Sequence, residues 1–432
     1  MRTTVKINTE RQVLEGDMEN FKKNAIVGQS GGPTAAINAT LSGVIRGAME
    51  STRIDKLYGM RYGMEGFLEG KTVLLNQRFC DGEDELTLLE RTPSAALGSC
   101  RYKLPDPMSE KKEDVSVYEN IFSRFAALDI GFFFYIGGND SMDTVAKLTA
   151  YADRIGKKDV LFVGVPKTID NDLALTDHAP GYGSAAKYVA TTVREILCDC
   201  AVYTVKAVTV VEIMGRDAGW LTAASAVGRA QGAPVPDYVY LPERAFDMES
   251  FLSDVERAFE KHPNVVIAVS EGIRYADGSY VGEGSLGSQL DRFGHRDLGG
   301  AGRVLVGAVR ERFGCKARSV ELNLSQRCAG HLLSATDIQE AVAIGREAVA
   351  CVERGESGVM LVFKRLSNAP YQCEIQTANI GDVANEVGAV PASYINEAGN
   401  HVTEACLAYL LPLVAGECPP VFRNGIPEYF AL

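Results

Sequence analysis

The run Val160-Leu161-Phe162-Val163-Gly164-Val165 leads directly into Pro166-Lys167-Thr168-Ile169-Asp170-Asn171-Asp172, and reading the two together decides the fold class. β-Branched and aromatic residues suit a pleated, buried strand, and a proline without an N–H brings it to an end. The loop that follows places an ammonium, a hydroxyl, an amide and two carboxylates in six residues. A solvated turn draws on the same residue types, so the loop acquires meaning from its neighbours. Two carboxylates two positions apart project to one side of an extended segment. One is then suited to taking a proton while the other holds a metal or orients its neighbour.

The same grammar recurs on both sides. Asn24-Ala25-Ile26-Val27-Gly28 reads as a strand, Gln29-Ser30-Gly31-Gly32-Pro33-Thr34 as a glycine turn, and Ile37, Leu41, Val44, Ile45 and Ala48 as the apolar stripe of a helix with Thr34 at its N-cap. Amides at such a helix start favour an anion, and paired glycines let a phosphate approach closely. Phe132-Phe133-Phe134-Tyr135-Ile136 feeds Gly137-Gly138-Asn139-Asp140-Ser141 and a further helix, where Asp140 serves equally well as an N-cap. Gly181-Tyr182-Gly183-Ser184 opens another helix. The strand 207–213 ends in Met214-Gly215-Arg216-Asp217, beside the lone tryptophan Trp220, expected to be a packing residue. The strand 265–271 ends in Glu271-Gly272. In open α/β sheets ligands gather at the carboxyl ends of strands, and five strand ends here carry glycine or dense polar groups. Gly98-Ser99-Cys100-Arg101-Tyr102-Lys103 adds a small-residue turn with two cations. Helices are expected over 304–312 and 338–354 and within 406–411, and a strand over 359–364.

A chain of 432 residues exceeds what one hydrophobic core usually serves, so two domains are expected. The balance of 44 basic against 56 acidic residues, a formal charge of −12, disfavours nonspecific nucleic-acid or anionic-membrane binding. An anionic ligand must therefore be met by local cations. Ten scattered cysteines without C-x-x-C, and five dispersed histidines, give no metal-ligand spacing and fit a reducing compartment. The first 24 residues lack the apolar core of a secretion signal, and no apolar run approaches the roughly 20 residues of a membrane span. A soluble, cytoplasmic protein is expected.

Other motifs lead nowhere. Gly282-Glu283-Gly284-Ser285-Leu286-Gly287 matches G-x-G-x-x-G without the strand before it or the acid after it. His295-Arg296-Asp297 imitates part of a protein-kinase loop without its asparagine. There is no G-x-x-x-x-G-K-[ST] phosphate loop.

Taken in order, Gly31-Gly32-Pro33-Thr34-Ala35-Ala36-Ile37-Asn38, Gly137-Gly138-Asn139-Asp140-Ser141, Pro166 to Asp172, Met214-Gly215-Arg216, Glu271-Gly272 and Gln326-Arg327 resemble the phosphofructokinase family, in its pyrophosphate-dependent branch. The resemblance implies an α/β protein of two Rossmann-like three-layer domains with mostly parallel sheets and an active site in the cleft between them. The expected donor domain is 20–180 plus about 326–360, and the expected sugar-phosphate domain 181–325 plus about 361–432. It implies reversible phosphoryl transfer from pyrophosphate to the 1-hydroxyl of fructose 6-phosphate. Asp170 would be the base, helped by Thr168, Ile169 and Asp172. Met214, Gly215, Arg216, Glu271, Arg318 and Arg327 would bind the sugar phosphate, Gly31 and Gly32 the donor phosphates, and Arg101 would stand near the transferring group. A homodimer is expected, with a tetramer as the alternative, and Arg318 is the candidate for an arginine lent to a neighbouring chain.

Asp140 and Lys167 stand where ATP-using members have glycines. A carboxylate at the glycine turn fills the room of an α-phosphate and ribose and repels that phosphate. Lys167 supplies a cation to the leaving phosphate. Mg2+, Lys167, Arg101 and Asp170 then suffice for in-line placement, charge neutralisation and proton removal. Asn139 replaces an aspartate that binds metal in many relatives, so the expected metal set is Asp140 with the weaker Asn139 oxygen, unless the donor carries the ion itself. The competing readings are an ATP-dependent enzyme, a catalytically inactive regulatory subunit, and another kinase with a similar glycine turn.

Overall fold

The computed structural model describes residues 4–7, 22–79, 82–283, 299–383 and 387–432. Gly284-Ser285-Leu286-Gly287 of the G-x-G-x-x-G match and all of His295-Arg296-Asp297 lie outside them. Two sheets dominate. The larger runs in the order β1-β13-β12-β6-β5-β2-β3-β4, from β1 (Thr4–Ile7), β2 (Lys23–Gln29), β3 (Ile54–Met60), β4 (Thr72–Leu74), β5 (Ile130–Gly137), β6 (Leu161–Pro166), β12 (Val359–Asn368) and β13 (Tyr371–Asn379). Its centre is parallel, while β4 and the β12–β13 pairing are antiparallel. The smaller sheet consists of β7 (Ala207–Ile213), β8 (Tyr238–Tyr240), β9 (Asn264–Ser270) and β10 (Lys316–Glu321), runs in the order β10-β7-β9-β8 and is parallel throughout, while the short β11 (Leu333–Ser334) pairs with Glu417–Cys418 outside both sheets.

Every residue of β5 is buried, as expected of a parallel strand covered on both faces. One face of the larger sheet packs under the helices Ile37–Glu50 and Ala335–Glu353. These two helices approach so closely that a Cβ on Gly43 would lie 2.2 Å from the Val342 carbonyl oxygen, leaving room for glycine alone. The other face meets the helices Lys112–Ala127 and Asn139–Arg154, with Phe122, Phe125, Phe133 and Phe162 in mutual ring contact. The smaller sheet is covered by the helices Tyr182–Cys200 and Glu404–Leu413 on one side and by Met248–Phe259 and Ala301–Phe313 on the other. Each sheet is thus the middle of three layers, the expected α/β architecture.

The partition of the chain differs from expectation after residue 360. β12 and β13 complete the larger sheet, so the chain does not return to the smaller one at about 361. The β-hairpin is drawn in because β6 would otherwise present an open edge to water. Val390, Ile395, Val402 and the helix Glu404–Leu413 join the smaller sheet's core, and Phe430 then comes back to stack on Phe79 in the first unit. Two caps also differ. Ala36 precedes the helix Ile37–Glu50 without a side-chain cap, while Thr34 Oγ1 accepts only from the Ala36 amide. Gly138 stands at the N-cap ahead of Asn139–Arg154, placing Asp140 inside the first turn.

Candidate active site

Because β6, β5 and β2 are neighbours, their C-terminal loops lie side by side. The ladder continues past the strands: Ser30 N donates to Ile136 O, and Lys167 N to Gly137 O, each at 2.9 Å. This continuation brings Lys167 over the Gly31-Gly32 turn, where its buried ammonium donates to the Gly32 carbonyl at 2.5 Å. A Cβ on Gly31 would stand 3.6 Å from Lys167 Nζ, and one on Gly32 3.5 Å from a guanidinium nitrogen of Arg327. Ser99 Oγ donates to Gly31 O and Gly31 N to Cys100 O, so the 98–103 turn straps the glycines and carries Arg101 to the rim. Gly31, Glu65, Ser99, Cys100 and Arg101 line a cavity of about 250 Å³ there.

Burial pulls the Lys167 ammonium down to about 8, against the upward pull of Asp170 and Asp172, with Arg101 and Arg327 adding repulsion. Asp170 moves the other way. Desolvation, then the Asp172 charge, push it up to about 7, while Lys167 and Arg216 oppose the rise. Asp172 is also raised by burial, although Thr168 Oγ1 donates to it at 3.3 Å. Thr168 Oγ1 in turn accepts from the Asp170 amide at 3.0 Å, so one hydroxyl ties the Asp170 backbone to the Asp172 carboxylate. The Ile169 side chain does not share this orientation: it packs in the apolar cluster of the smaller sheet and anchors the loop there, leaving its backbone to face the site.

The smaller sheet contributes the opposing wall. Past β7 and β9, Glu271 N donates to Ile213 O, Gly215 N makes a long 3.4 Å contact to Glu271 Oε1, and Met214 N donates to the buried Gln326 Oε1 at 3.2 Å. A Cβ on Gly272 would lie 1.9 Å from the Arg216 carbonyl, so only glycine lets these two turns meet. Glu271 is pushed up to about 7 by burial and then by the Asp170 charge, and Arg216 pulls Asp170 down. The two sheets therefore face one another electrostatically, with Asp170 between Lys167 on its own side and Arg216 and Glu271 across the cleft.

Three expected site residues stand apart. Arg318 lies on β10 opposite Thr209, near the start of β7 rather than its end, and reaches Asp199 at 3.9 Å; it does not enter this cleft. The Met214 side chain packs against the apolar cluster, leaving its backbone to face the site. Asp140 is exposed at the helix entrance beside Asn139, whose Oδ1 is buried without a hydrogen-bond partner. An orphaned acceptor next to an exposed carboxylate fits a hard divalent cation, which takes oxygen ligands. His178, Glu340 and Cys373 also converge, but both ring nitrogens of His178 already lie 2.8 Å from Asp177 and Glu340 carboxylates, and Arg365 pairs with Asp177, so two cationic side chains already face the two carboxylates. Gln326, Asp217 and Asn171 also border or brace the cleft, in roles that no motif of the sequence signals.

A cleft between two parallel-type sheets, lined by a lysine, arginines and carboxylates of raised affinity for protons beside a glycine turn, defines a phosphotransferase. The phosphofructokinase family profile matches residues 24–352. A pyrophosphate–fructose 6-phosphate 1-phosphotransferase of Halomonas elongata is 40% identical over 411 residues, covering 94% of this chain and 95% of that protein. The enzyme of the same description from Methylococcus capsulatus is 40% identical over 413 residues, covering 95% and 96%. The crystal structure of a pyrophosphate-dependent phosphofructokinase from Nitrosospira multiformis superposes with a TM-score of 0.84 at 36% identity, covering 95% of this chain and 96% of that one. The chain belongs to the phosphofructokinase family.

Proposed function

We propose that the protein transfers a phosphoryl group reversibly from inorganic pyrophosphate to the 1-hydroxyl of fructose 6-phosphate, giving fructose 1,6-bisphosphate and phosphate. The observation that carries the choice of donor is the Lys167 ammonium seated on the Gly32 carbonyl, inside the glycine turn. A bare inorganic anion lacks adenosine contacts, and a cation fixed at the phosphate cradle substitutes for them. Relatives so named, at 40% identity over nearly the whole chain, support the same reading.

Asp170 Oδ accepts the proton of the sugar 1-hydroxyl as that oxygen forms its bond to the transferring phosphorus, and the bridging P–O bond breaks to release phosphate. A base poised near neutrality serves both directions of a reversible transfer. Lys167 and Arg101 stabilise the charge on the departing phosphate, and Asp172 holds the loop through Thr168. Arg216, Glu271 and Arg327 orient the sugar phosphate. Asn139 and Asp140 would hold Mg2+, which when bound neutralises the donor oxygens. No helix among the described residues is long and apolar enough to cross a membrane, and the described cysteines are all free thiols, which supports a cytoplasmic setting. We assign a homodimer in which Arg318 of each chain serves its neighbour. Formation of fructose 1,6-bisphosphate from fructose 6-phosphate with pyrophosphate against ATP tests the reading: the rate with pyrophosphate is expected to exceed that with ATP by at least ~100-fold, and equal use of ATP would overturn it.

A further inference from the structure

Between the two active-site carboxylates lies a residue that points the other way. Asn171 adopts a left-handed backbone conformation, φ 55°, and is buried. Its Nδ2 donates to Tyr409 Oη at 2.9 Å, and its Oδ1 accepts from the Ala179 amide at 3.1 Å. Tyr409 belongs to the helix Glu404–Leu413, and its hydroxyl passes its own proton to the Asp177 carbonyl at 2.7 Å. With one donated and one accepted bond, the phenol fastens two ends of the 171–177 segment to a helix 238 residues further along the chain.

That helix is itself clamped. The Arg365 guanidinium, on β12, lies 4.2 Å from the Tyr409 ring centroid, donates to the Tyr409 carbonyl at 2.9 Å and pairs with Asp177 at 2.9 Å. Asp177 continues to His178, whose ring stacks on Phe363 at 4.6 Å and whose Nε2 meets Glu340. The anchor beneath Asn171 therefore draws on both sheets. Asn171, Tyr409, His178 and Glu340 of this anchor are buried and hydrogen-bonded, and a satisfied polar network in a low-dielectric interior rigidifies what it joins.

We propose that Tyr409 and Asn171 are positioning residues for the transfer reaction: the phenol–amide pair fixes the separation and aim of the Asp170 and Asp172 carboxylates. The inference rests on the function proposed above. A side-chain bond on the residue between them acts on both carboxylates at once, because Asn171 shares a peptide unit with each. A positive φ alone would leave the loop free to pivot, whereas the two amide bonds fix its rotation. A displacement near 1 Å at a reacting group costs up to about 100-fold in rate.

The test uses the full chain. Tyr409→Phe keeps the ring between Trp220, Tyr394 and Arg365 and removes only the hydroxyl. It is expected to lower kcat roughly 10-fold while the KM for fructose 6-phosphate changes less than about twofold, and to shift the acidic limb of the pH–kcat profile. Asn171→Gly, which retains access to the left-handed conformation, is expected to lose as much, and the double variant no more than the larger single loss. Tyr394→Phe, a ring neighbour outside the anchor, is expected to match the unmutated protein. Should Tyr409→Phe fail to fold, Asn171→Gly decides alone. Unchanged kcat in the variants, with or without a lower Tm, reduces the pair to a stabilising role and overturns the proposal, as do additive losses. Crystals of Asn171→Gly supply a readout independent of substrate: unmoved Asp170 and Asp172 carboxylates also overturn it. An unmutated chain that transfers nothing from pyrophosphate removes the functional reading, while the carboxylate positions still decide the anchor.

Discussion

Burial raises the proton affinity of the half-buried Asp170 and of the fully buried Asp337, yet the two regions do opposite things. Asp337 reaches from the helix Ala335–Glu353 to the entrance of Tyr182–Cys200, where it accepts from the amides of Gly181 at 2.8 Å and Ser184 at 2.9 Å. Its charge answers donors left over at a helix start. Asp170 has no such answer among the described contacts: its neighbours are a second carboxylate, a lysine and an arginine at some remove. The difference teaches that burial alone does not make a carboxylate reactive. A satisfied buried acid holds the fold, and an unsatisfied one waits for a proton.

The sharpest way to break this contrast is Asp170→Ser, expected to lower turnover by ~100-fold or more while fructose 6-phosphate still binds; calorimetric titration with stopped assays would show it, and undiminished turnover would place the base elsewhere. Next in size is the donor side. Asp140→Gly combined with Lys167→Gly is expected to cost pyrophosphate-dependent kcat/KM on the order of 100-fold, and unchanged pyrophosphate kinetics would remove the donor argument. Asp337→Ala should do the converse of the Asp170 change. It strands two buried amides at a cost on the order of 2–4 kcal/mol, seen as a lowered Tm, with turnover per folded molecule altered less than about threefold.

Proton titration sharpens the comparison further. With Asp170 near 7 and Lys167 near 8, turnover of fructose 6-phosphate should fall below about pH 7 as the base fills and above about pH 8 as the ammonium empties. A profile flat from pH 6 to 9 would contradict both assignments. The smallest effect concerns stability. Because Asp170 binds its proton more tightly in the folded than in the unfolded chain, its contribution becomes unfavourable as pH rises from about 4 through about 7. Asp170→Asn should therefore raise Tm by a few degrees at pH 8 and by nothing below about pH 4, whereas equal shifts at both values would point to packing instead.

Much of this was legible in the chain. The strands β2, β5, β6, β7 and β9 fall within two residues of where apolar runs place them, because strands buried on both faces read as continuous hydrophobic stretches. β13 was not legible, since Gln372, Glu374 and Gln376 alternate with the buried Cys373 and Ile375 and leave no continuous apolar run. The helix Lys112–Ala127 does carry a signal in Tyr118, Ile121, Phe122 and Phe125, obscured by the mixed stretch before it. Lys167, Asp170 and Asp172 announce themselves by density of charge. Tyr409 could not, because an apolar helix gives no hint of a hydroxyl that serves a loop far upstream, nor could the place of Arg318 near the start of β7, because register, not residue type, sets which end of a strand a side chain occupies.

The path of the backbone between the two sheets carries a last consequence. It leaves the larger sheet ahead of Tyr182, returns at Ala335, departs again for Glu404–Leu413, and closes with Phe430 against Phe79. A chimaera that borrows one half from an ATP-using cousin would thus need several separate splices made together. Donor preference in such a molecule is more readily altered residue by residue at the strand ends than by trading whole modules.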